Sequence, residues 1–252
     1  MDNKQNNKNA APQGAATNGL PLWKRIFDFA LLFVTAPVWL PVAVVVGLAV
    51  RLGSPGPIFF KQDRVGFQGK TFTCFKFRTM KANIETASHQ SHVKDLIESS
   101  APMTKLDADN DSRMVPGANW IRASGLDELP QIINILRGEM SVVGPRPCIP
   151  FEYDLYKPEQ RARFNATPGL TGLWQVSGKN HTTFDRMIAL DIEYSERKSL
   201  WLDAHIVLFT GPAIFQQVRE LIAKKRARKA AKSVAGSNII SNKPVTTEKG
   251  LS

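Results

Sequence analysis

The chain has 252 residues and a formal charge of +11 at pH 7, because 33 Lys and Arg residues outnumber 22 Asp and Glu residues. This charge favours acidic partners, which are nucleic acid, anionic lipid headgroups or phosphorylated substrates. Two cysteines, Cys74 and Cys148, are too few for a disulfide framework and too far from any histidine pair for a zinc site. We interpret both as buried thiols in a reducing compartment.

An apolar run dominates residues 21–51; it begins after Lys24 and Arg25 and ends before another arginine. Its length suits a helix that crosses the hydrocarbon core of a bilayer. However, Pro37 and Pro41 lie near its middle, where each removes a backbone donor. Cations at both ends also mark both ends as cytoplasmic. The run therefore predicts a re-entrant membrane helix that bends at the prolines, with a bent transmembrane anchor as the alternative.

Two strands are predicted next, over residues 58–60 and 71–80, joined by a glycine-containing turn. Because side chains alternate along a strand, Lys76 and Arg78 share one face of the second strand. Two cations on one face are either solvated or directed at an anion, and alternation alone leaves both readings open.

The segment LDELPQIINILRG predicts a helix, since its Ile and Leu residues recur with helical spacing and Gly138 is a natural stop. Pro130 belongs in a first turn, which places Asp127 and Glu128 at the start of the helix. Anions are stabilised at that end. The pair serves either to cap the helix, which is the commoner role of such residues, or in catalysis.

Features that suit phosphate follow the acid pair. SVVGPRP predicts a short strand and then Arg146 held between two prolines, which preorganises its guanidinium for a phosphate. A glycine-rich stretch over 167–178 predicts a loop that approaches a ligand and offers Trp174 for stacking. Carboxylates and cations in one domain suggest phosphoryl chemistry with a divalent metal, and the absence of GxxxxGK[ST] excludes a P-loop nucleotide hydrolase. The candidate phosphate-binding cations are Lys76, Arg78, Arg122 and Arg146.

The chain resembles the bacterial sugar transferases, which are small monotopic polyprenyl-phosphate phosphoglycosyl transferases. The resemblance covers roughly residues 21 to 215 in order, and its LDELPQ–GEMS–VGPRP series is very specific. The matching segments are KRIFD at 24–28, FKFRTM at 75–80, LDELPQIINILRGEMSVVGPRP at 126–147 and PGLTGLWQVSGKN at 168–180.

The resemblance implies a two-step reaction at the inner face of the bacterial cytoplasmic membrane. Asp127 is then the nucleophile that attacks a UDP-sugar, UMP leaves, and the sugar-1-phosphate passes to undecaprenyl phosphate. Glu128 is its acidic partner, Mg2+ binds at or beside the pair, and Arg146 holds phosphate. Membrane anchoring is implied for Lys24, Arg25, Asp28 and Pro37. The wording of the motifs leans toward exopolysaccharide hexose transferases but does not select a sugar.

Two positions depart from the family pattern. Ala36 stands where many relatives have serine before the proline, so we expect Thr35 to satisfy a backbone carbonyl instead by bonding back one turn. Thr167 stands where many relatives have arginine, so no phosphate contact is assigned there.

The predicted fold class is α/β (α+β), a re-entrant helix-break-helix followed by a compact cytoplasmic catalytic domain with a small sheet and surface amphipathic helices. Trp201, Leu202, Ile206 and Phe209 predict one such helix. The predicted divisions are a disordered tail (1–20), the membrane helix (21–51), the catalytic domain (52–218) and a basic, largely disordered tail (219–252).

Two other function classes remain. A membrane-tethered nucleic-acid binder would show salt-dependent DNA binding that is lost when the basic tail is deleted. A non-catalytic scaffold for polysaccharide assembly would show no metal-dependent turnover. The partners expected for the transferase are UDP-sugar, undecaprenyl phosphate and membrane lipids, with a homo-oligomer and other glycan-assembly enzymes as further possibilities and no nucleic acid.

Overall fold

A computed structural model describes residues 20–80, 94–95, 114–115, 117–178 and 182–241, and the first 19 and last 11 residues lie outside this part. The α-helices are α1 (Leu22–Gly53), α2 (Ala118–Ala123), α3 (Ile132–Leu136), α4 (Pro150–Leu155), α5 (Leu173–Val176), α6 (Phe184–Arg197) and α7 (Leu200–Ser241). The 3-10 helices are Phe67–Gly69, Leu126–Gln131 and Pro158–Asn165. The strands are β1 (Phe59–Val65), β2 (Thr71–Phe77), β3 (Ser141–Val143) and β4 (Gly169–Thr171). This arrangement confirms a mixed, helix-dominated fold with little sheet.

The first helix continues through both of its prolines. The expected break into two helices is wrong, since α1 is a single element of 32 residues. Two side chains in this part of α1 donate to backbone carbonyls that lie one and two turns earlier in the helix. Thr35 Oγ1 donates to the carbonyl of Leu31 at 2.6 Å, as predicted, and Trp39 Nε1 donates to the carbonyl of Leu32 at 2.9 Å.

Both ends of α1 lie against the rest of the protein, while its middle is exposed. The buried residues are Lys24, Asp28 and Leu32 at one end and Val46, Gly47 and Val50 at the other. Between them Phe33 is 82% exposed and Val38 is 69% exposed. Among the described residues, α1 is the one helix long and apolar enough to cross a membrane.

Strands β1 and β2 form an antiparallel hairpin that runs from the Phe59–Phe77 pair to the Val65–Thr71 pair. The hairpin extends the first predicted strand and shortens the second, which ends at Phe77. Arg78 therefore leaves the sheet and is buried instead of sharing a strand face with Lys76.

Strands β3 and β4 pair in parallel, and glycine makes their close approach possible. A side chain at Gly144 or Gly169 would collide with the backbone of the other strand. We expected the glycines of residues 167–178 to let this loop approach a ligand. At Gly169 the structure shows another role, since this glycine allows β4 to lie close to the backbone at the end of β3. Trp174 is 5% exposed and lies in an apolar cluster with Phe164 and Met187, so the prediction that its ring stacks on a ligand is wrong.

The main core lies between the short parallel sheet, α3 and the long C-terminal helices. Ile135, Met140, Val143, Tyr194 and Ile206 are all fully buried there. Burial of Ile206 corrects its assignment to a surface face.

Helix α7 also exposes apolar side chains, among them Trp201 at 86%. The helix continues to Ser241, so 219–241 is helical where we expected a largely disordered tail. The Ala- and Lys-rich sequence there has high helix propensity, and extending an existing helix avoids the cost of a new nucleus.

Candidate active site

The acid pair occupies the first turn of a 3-10 helix that leads directly into α3. Gly125 precedes it with φ of +74°, a conformation that suits glycine. The N-cap residue of this helix is Gly125, so Asp127 lies in the first turn and does not occupy the N-cap position. Asp127 is only 7% exposed, while Glu128 N–H bonds to the carbonyl of Gly125 at 3.0 Å. The structure thus holds a carboxylate in a largely buried position in the first turn of this helix.

Lys76 on β2 contacts the acid pair directly. Its Nζ donates to Oε1 of Glu128 at 2.8 Å, and both side chains remain about a quarter exposed, at 23% and 29%. The Lys76–Glu128 ion pair is therefore accessible from solvent. Of the predicted cations, Lys76 is the one that an observed ion pair joins to the candidate catalytic residues.

Asn134 ties the helical segment that follows the acid pair to β2, and this role was not predicted from the sequence. It is fully buried within α3. Its Nδ2 donates to the carbonyl of Thr73 at 2.7 Å, and its Oδ1 accepts from Phe75 N–H at 3.1 Å. Nδ2 also lies 2.6 Å from Glu139 Oε2. The carboxamide thus makes the backbone hydrogen bonds to β2 that a neighbouring strand would otherwise make. These bonds fix α3 against the strand that carries Lys76. A polar residue inside the apolar IINIL run was the available signal.

The N-terminal end of α1 contacts the C-terminal end of α3. Arg25 donates to the carbonyls of Ile135 at 2.6 Å and Leu136 at 3.3 Å. These are carbonyls of the last turn of α3, which have no partner inside the helix.

Lys24 and Asp28 are buried inside the protein. Lys24 donates to the hydroxyl of Tyr194 at 2.8 Å and forms an ion pair with Asp203, while Asp28 accepts from Ser141 Oγ and Val142 N–H, both at 3.0 Å. Both residues therefore fasten α1 to α6, α7 and β3, and their role in membrane anchoring stays a prediction.

The structure places Arg78 at the end of α1. Its guanidinium donates to the carbonyls of Ser54 at 2.7 Å and Pro55 at 2.6 Å, and Gly56 lies against it with φ of +118°. Arg78 thus stabilises the chain reversal after α1. Arg122 donates to Thr79 Oγ1 at 3.2 Å, which places it beside the end of the β2 segment.

Arg146 belongs to a second cluster of charges. It lies 3.0 Å from Glu152 Oε2. Burial opposes the charge of Arg146, yet Glu152 outweighs this and raises its pKa. Burial likewise opposes the charge of Glu152, but Arg146 and Arg64 hold its pKa below the usual value. The structure thus groups Arg146 with these residues, whereas Lys76 is grouped with Glu128.

The oxygen donors of Asp127 and Glu128 suit Mg2+, which typically binds one or two carboxylates and takes its other ligands from water and phosphate. Within the described ranges there is no group of three or more His, Cys, Asp and Glu residues that could hold a metal. Two adjacent carboxylates therefore fit an ion that is shared with a phosphorylated substrate.

The model of the family described as bacterial sugar transferase matches residues 20–217 of this chain. The chain belongs to the bacterial sugar transferase family. The match includes α1, the acid pair, both charge clusters and the start of α7, so the site described above lies entirely within the family's own region.

Curated proteins with related names are similar to this chain over about three quarters of its length. The exopolysaccharide production protein ExoY of Sinorhizobium fredii is 36% identical over 191 residues, which cover 76% of this chain and 84% of that protein. The UDP-glucose:undecaprenyl-phosphate glucose-1-phosphate transferase of Caulobacter vibrioides is 37% identical over 201 residues, covering 77% and 70%. The undecaprenyl-phosphate galactose phosphotransferase of Salmonella typhimurium is 34% identical over 194 residues, covering 77% of this chain but 40% of that protein.

Proposed function

We propose that this protein transfers a sugar-1-phosphate from a UDP-sugar to undecaprenyl phosphate through a covalent intermediate on Asp127. Family membership and the names of the relatives support this reaction class. The observation that carries the assignment is the position of Asp127, a largely buried carboxylate in the turn beside the Lys76–Glu128 pair. Relatives named for glucose and for galactose make a hexose the expected sugar.

In the first step an oxygen of Asp127 attacks the β-phosphorus of the donor. The bond from that phosphorus to the bridging oxygen breaks, and UMP leaves with the oxygen. In the second step a phosphate oxygen of undecaprenyl phosphate attacks the same phosphorus and releases the carboxylate. Dividing the reaction in this way lets a soluble and a lipid substrate use one site in turn.

The side chains around Asp127 prepare both steps. The ammonium group of Lys76 lies where it can balance phosphate charge, and Glu128 holds it there. Asn134 keeps β2 and the acid pair in fixed relation. Mg2+ held by Asp127 and Glu128 would neutralise phosphate oxygens when it is bound.

The membrane placement follows from α1. A helix whose two ends contact the same protein body, and whose apolar middle is exposed, suits insertion from one face of a bilayer. We assign that face to the cytoplasmic side of the bacterial inner membrane, where UDP-sugars are available. The chain would then supply the lipid-linked sugar that begins an exopolysaccharide or another surface glycan.

The test is release of UMP by the full chain in detergent with Mg2+, undecaprenyl phosphate and a panel of UDP-sugars. Asp127→Asn should lower the rate by about a thousandfold or more, as expected when a nucleophile is removed, while the protein still folds and partitions to membranes. Asp154→Asn is the matched control, because Asp154 is exposed on α4. Turnover by Asp127→Asn within tenfold of the wild type would exclude Asp127 as the nucleophile.

A further inference from the structure

Five charged residues form a buried cluster around the Pro-Arg-Pro segment. Arg146 pairs with Glu152, and Arg163 pairs with Asp191. Arg163 and Asp191 are fully buried, Glu152 is 2% exposed and Arg64 is 8% exposed. Among the described residues of this cluster, three guanidinium groups thus face two carboxylates, which leaves one positive charge in excess.

The excess charge resides on Arg64. Its Nη1 donates to the carbonyl of Pro147 at 3.1 Å and its Nη2 donates to Gln62 Oε1 at 2.6 Å, and both acceptors are neutral. Its Nε is buried and has no hydrogen-bond partner within the described part of the chain. Burial lowers the pKa of Arg64, the nearby charge of Arg146 lowers it further, and Glu152 opposes these two effects only in part. Burial of a charge that its surroundings balance only in part is costly unless an anion binds there.

The cluster is both rigid and open on one side. Arg163 Nη2 donates to the backbone carbonyl of Arg146 at 2.8 Å, so a fully buried side chain fixes the backbone of Arg146. The side chain of Arg146 nevertheless remains 25% exposed. Arg64 bonds to the carbonyl of Pro147, the residue after Arg146, and both guanidinium groups act on the carboxylate of Glu152. Two guanidinium groups in one cluster are well suited to a phosphate, whose oxygens accept several charge-assisted bonds.

This second cluster lies within reach of the acid pair. Arg64 is opposite Phe72 in the hairpin, and Lys76 is four positions further along β2, which is about 13 Å at the rise of a strand. The buried thiol of Cys74 lies between them, since Lys76 and Arg64 both lower its pKa while burial raises it.

We propose that Arg64 and Arg146 form a phosphate-binding subsite in which Arg64 supplies the charge that the protein itself leaves unbalanced. The proposal rests on the proposed function for its ligands, which are the phosphates of the nucleotide and of the polyprenyl phosphate. It adds Arg64, a nearly buried strand residue, to the groups that contact substrate.

The experiment measures thermal unfolding of the full chain in detergent against increasing inorganic phosphate, UMP or a short-chain polyprenyl phosphate. A ligand that binds the folded state raises the unfolding temperature, and the rise grows with the logarithm of the ratio of ligand concentration to Kd. Arg64→Gln and Arg64→Lys are compared with the control Arg197→Gln, whose side chain is 71% exposed in a surface ion pair. Because these readouts need no turnover, they are independent of whether Asp127 is the nucleophile.

We expect Arg64→Gln to weaken binding of inorganic phosphate about tenfold or more, Arg64→Lys to weaken it less, and Arg197→Gln to leave it unchanged. Without ligand, Arg64→Gln should be at least as stable as the wild type, because an unbalanced buried charge has been removed. Selective weakening of UMP binding identifies the donor phosphate as the ligand, and selective weakening of the lipid phosphate identifies the acceptor. Arg64→Gln that is destabilised but binds every probe with wild-type affinity would overturn the proposal.

Discussion

Replacing Asn134 should unfold the protein at a lower temperature, because this side chain is the link between α3 and β2. In Asn134→Ala the carbonyl of Thr73 and the N–H of Phe75 lose their partner. A buried polar group left without a partner costs about 1–3 kcal/mol. Thr73 and Phe75 are half-buried, so water recovers part of this and each group falls at the lower end. With the cavity left by the shortened side chain, we expect a loss of about 2–4 kcal/mol.

Asn134→Asp separates the loss of hydrogen bonds from the loss of volume. The aspartate has nearly the same shape, but it places an oxygen where Nδ2 donates to the carbonyl of Thr73 and to Glu139. We expect this variant to be at least as unstable as Asn134→Ala. A role in filling space alone would leave Asn134→Asp close to the wild type.

The assay is thermal unfolding of the full chain in detergent micelles, followed by tryptophan fluorescence. For a chain of this size about 1 kcal/mol shifts the midpoint by about 2–4 °C, so Asn134→Ala should lower it by roughly 10 °C. Asn165→Ala is the control, because Asn165 is exposed at the end of a 3-10 helix. Equal midpoints for Asn134→Ala and Asn165→Ala would refute the reasoning.

Two further predictions concern the membrane helix and pH. In the substitutions Leu22→Cys and Leu52→Cys, made one at a time and replacing side chains that are 76% and 85% exposed, an impermeant thiol reagent should label both introduced cysteines from the cytoplasmic side; labelling from opposite sides would show a spanning anchor. The native Cys74 and Cys148 are buried and serve as the unlabelled background. Burial raises the pKa of Asp191 to about 6 although Arg163 opposes the shift, so the folded state binds this proton more tightly than the unfolded chain does. The unfolding free energy of the wild type minus that of Asp191→Asn should therefore increase as pH falls from 7 to 4.5, and a constant difference would contradict the burial argument.

Local patterns were sufficient to locate the acid pair. The apolar spacing after Pro130 and the stop at Gly138 predicted the helical segment that begins with the acid pair, and the structure begins it with a 3-10 helix. The strand before the Pro-Arg-Pro segment was found in the same way. These features depend on neighbours within a few residues, which is the range that sequence periodicity reports.

Partners that are distant in sequence could not be predicted. Lys24 beside an apolar run is typical of a membrane flank, but its partners Tyr194 and Asp203 lie 170 and 179 positions away. Arg78 follows the strand pattern of Lys76, yet β2 ends before it and its guanidinium turns to the end of α1. Residue type alone could not predict which carboxylate or carbonyl each of these cations contacts.

The most direct measurement of the central claim is the mass of the intact protein after incubation with a UDP-sugar and Mg2+ in the absence of undecaprenyl phosphate. We predict an added mass of one sugar phosphate that maps to the peptide containing Asp127, is absent from Asp127→Asn, and disappears when undecaprenyl phosphate is added. Full transferase activity without any such adduct, or an adduct on another residue, would contradict the covalent mechanism.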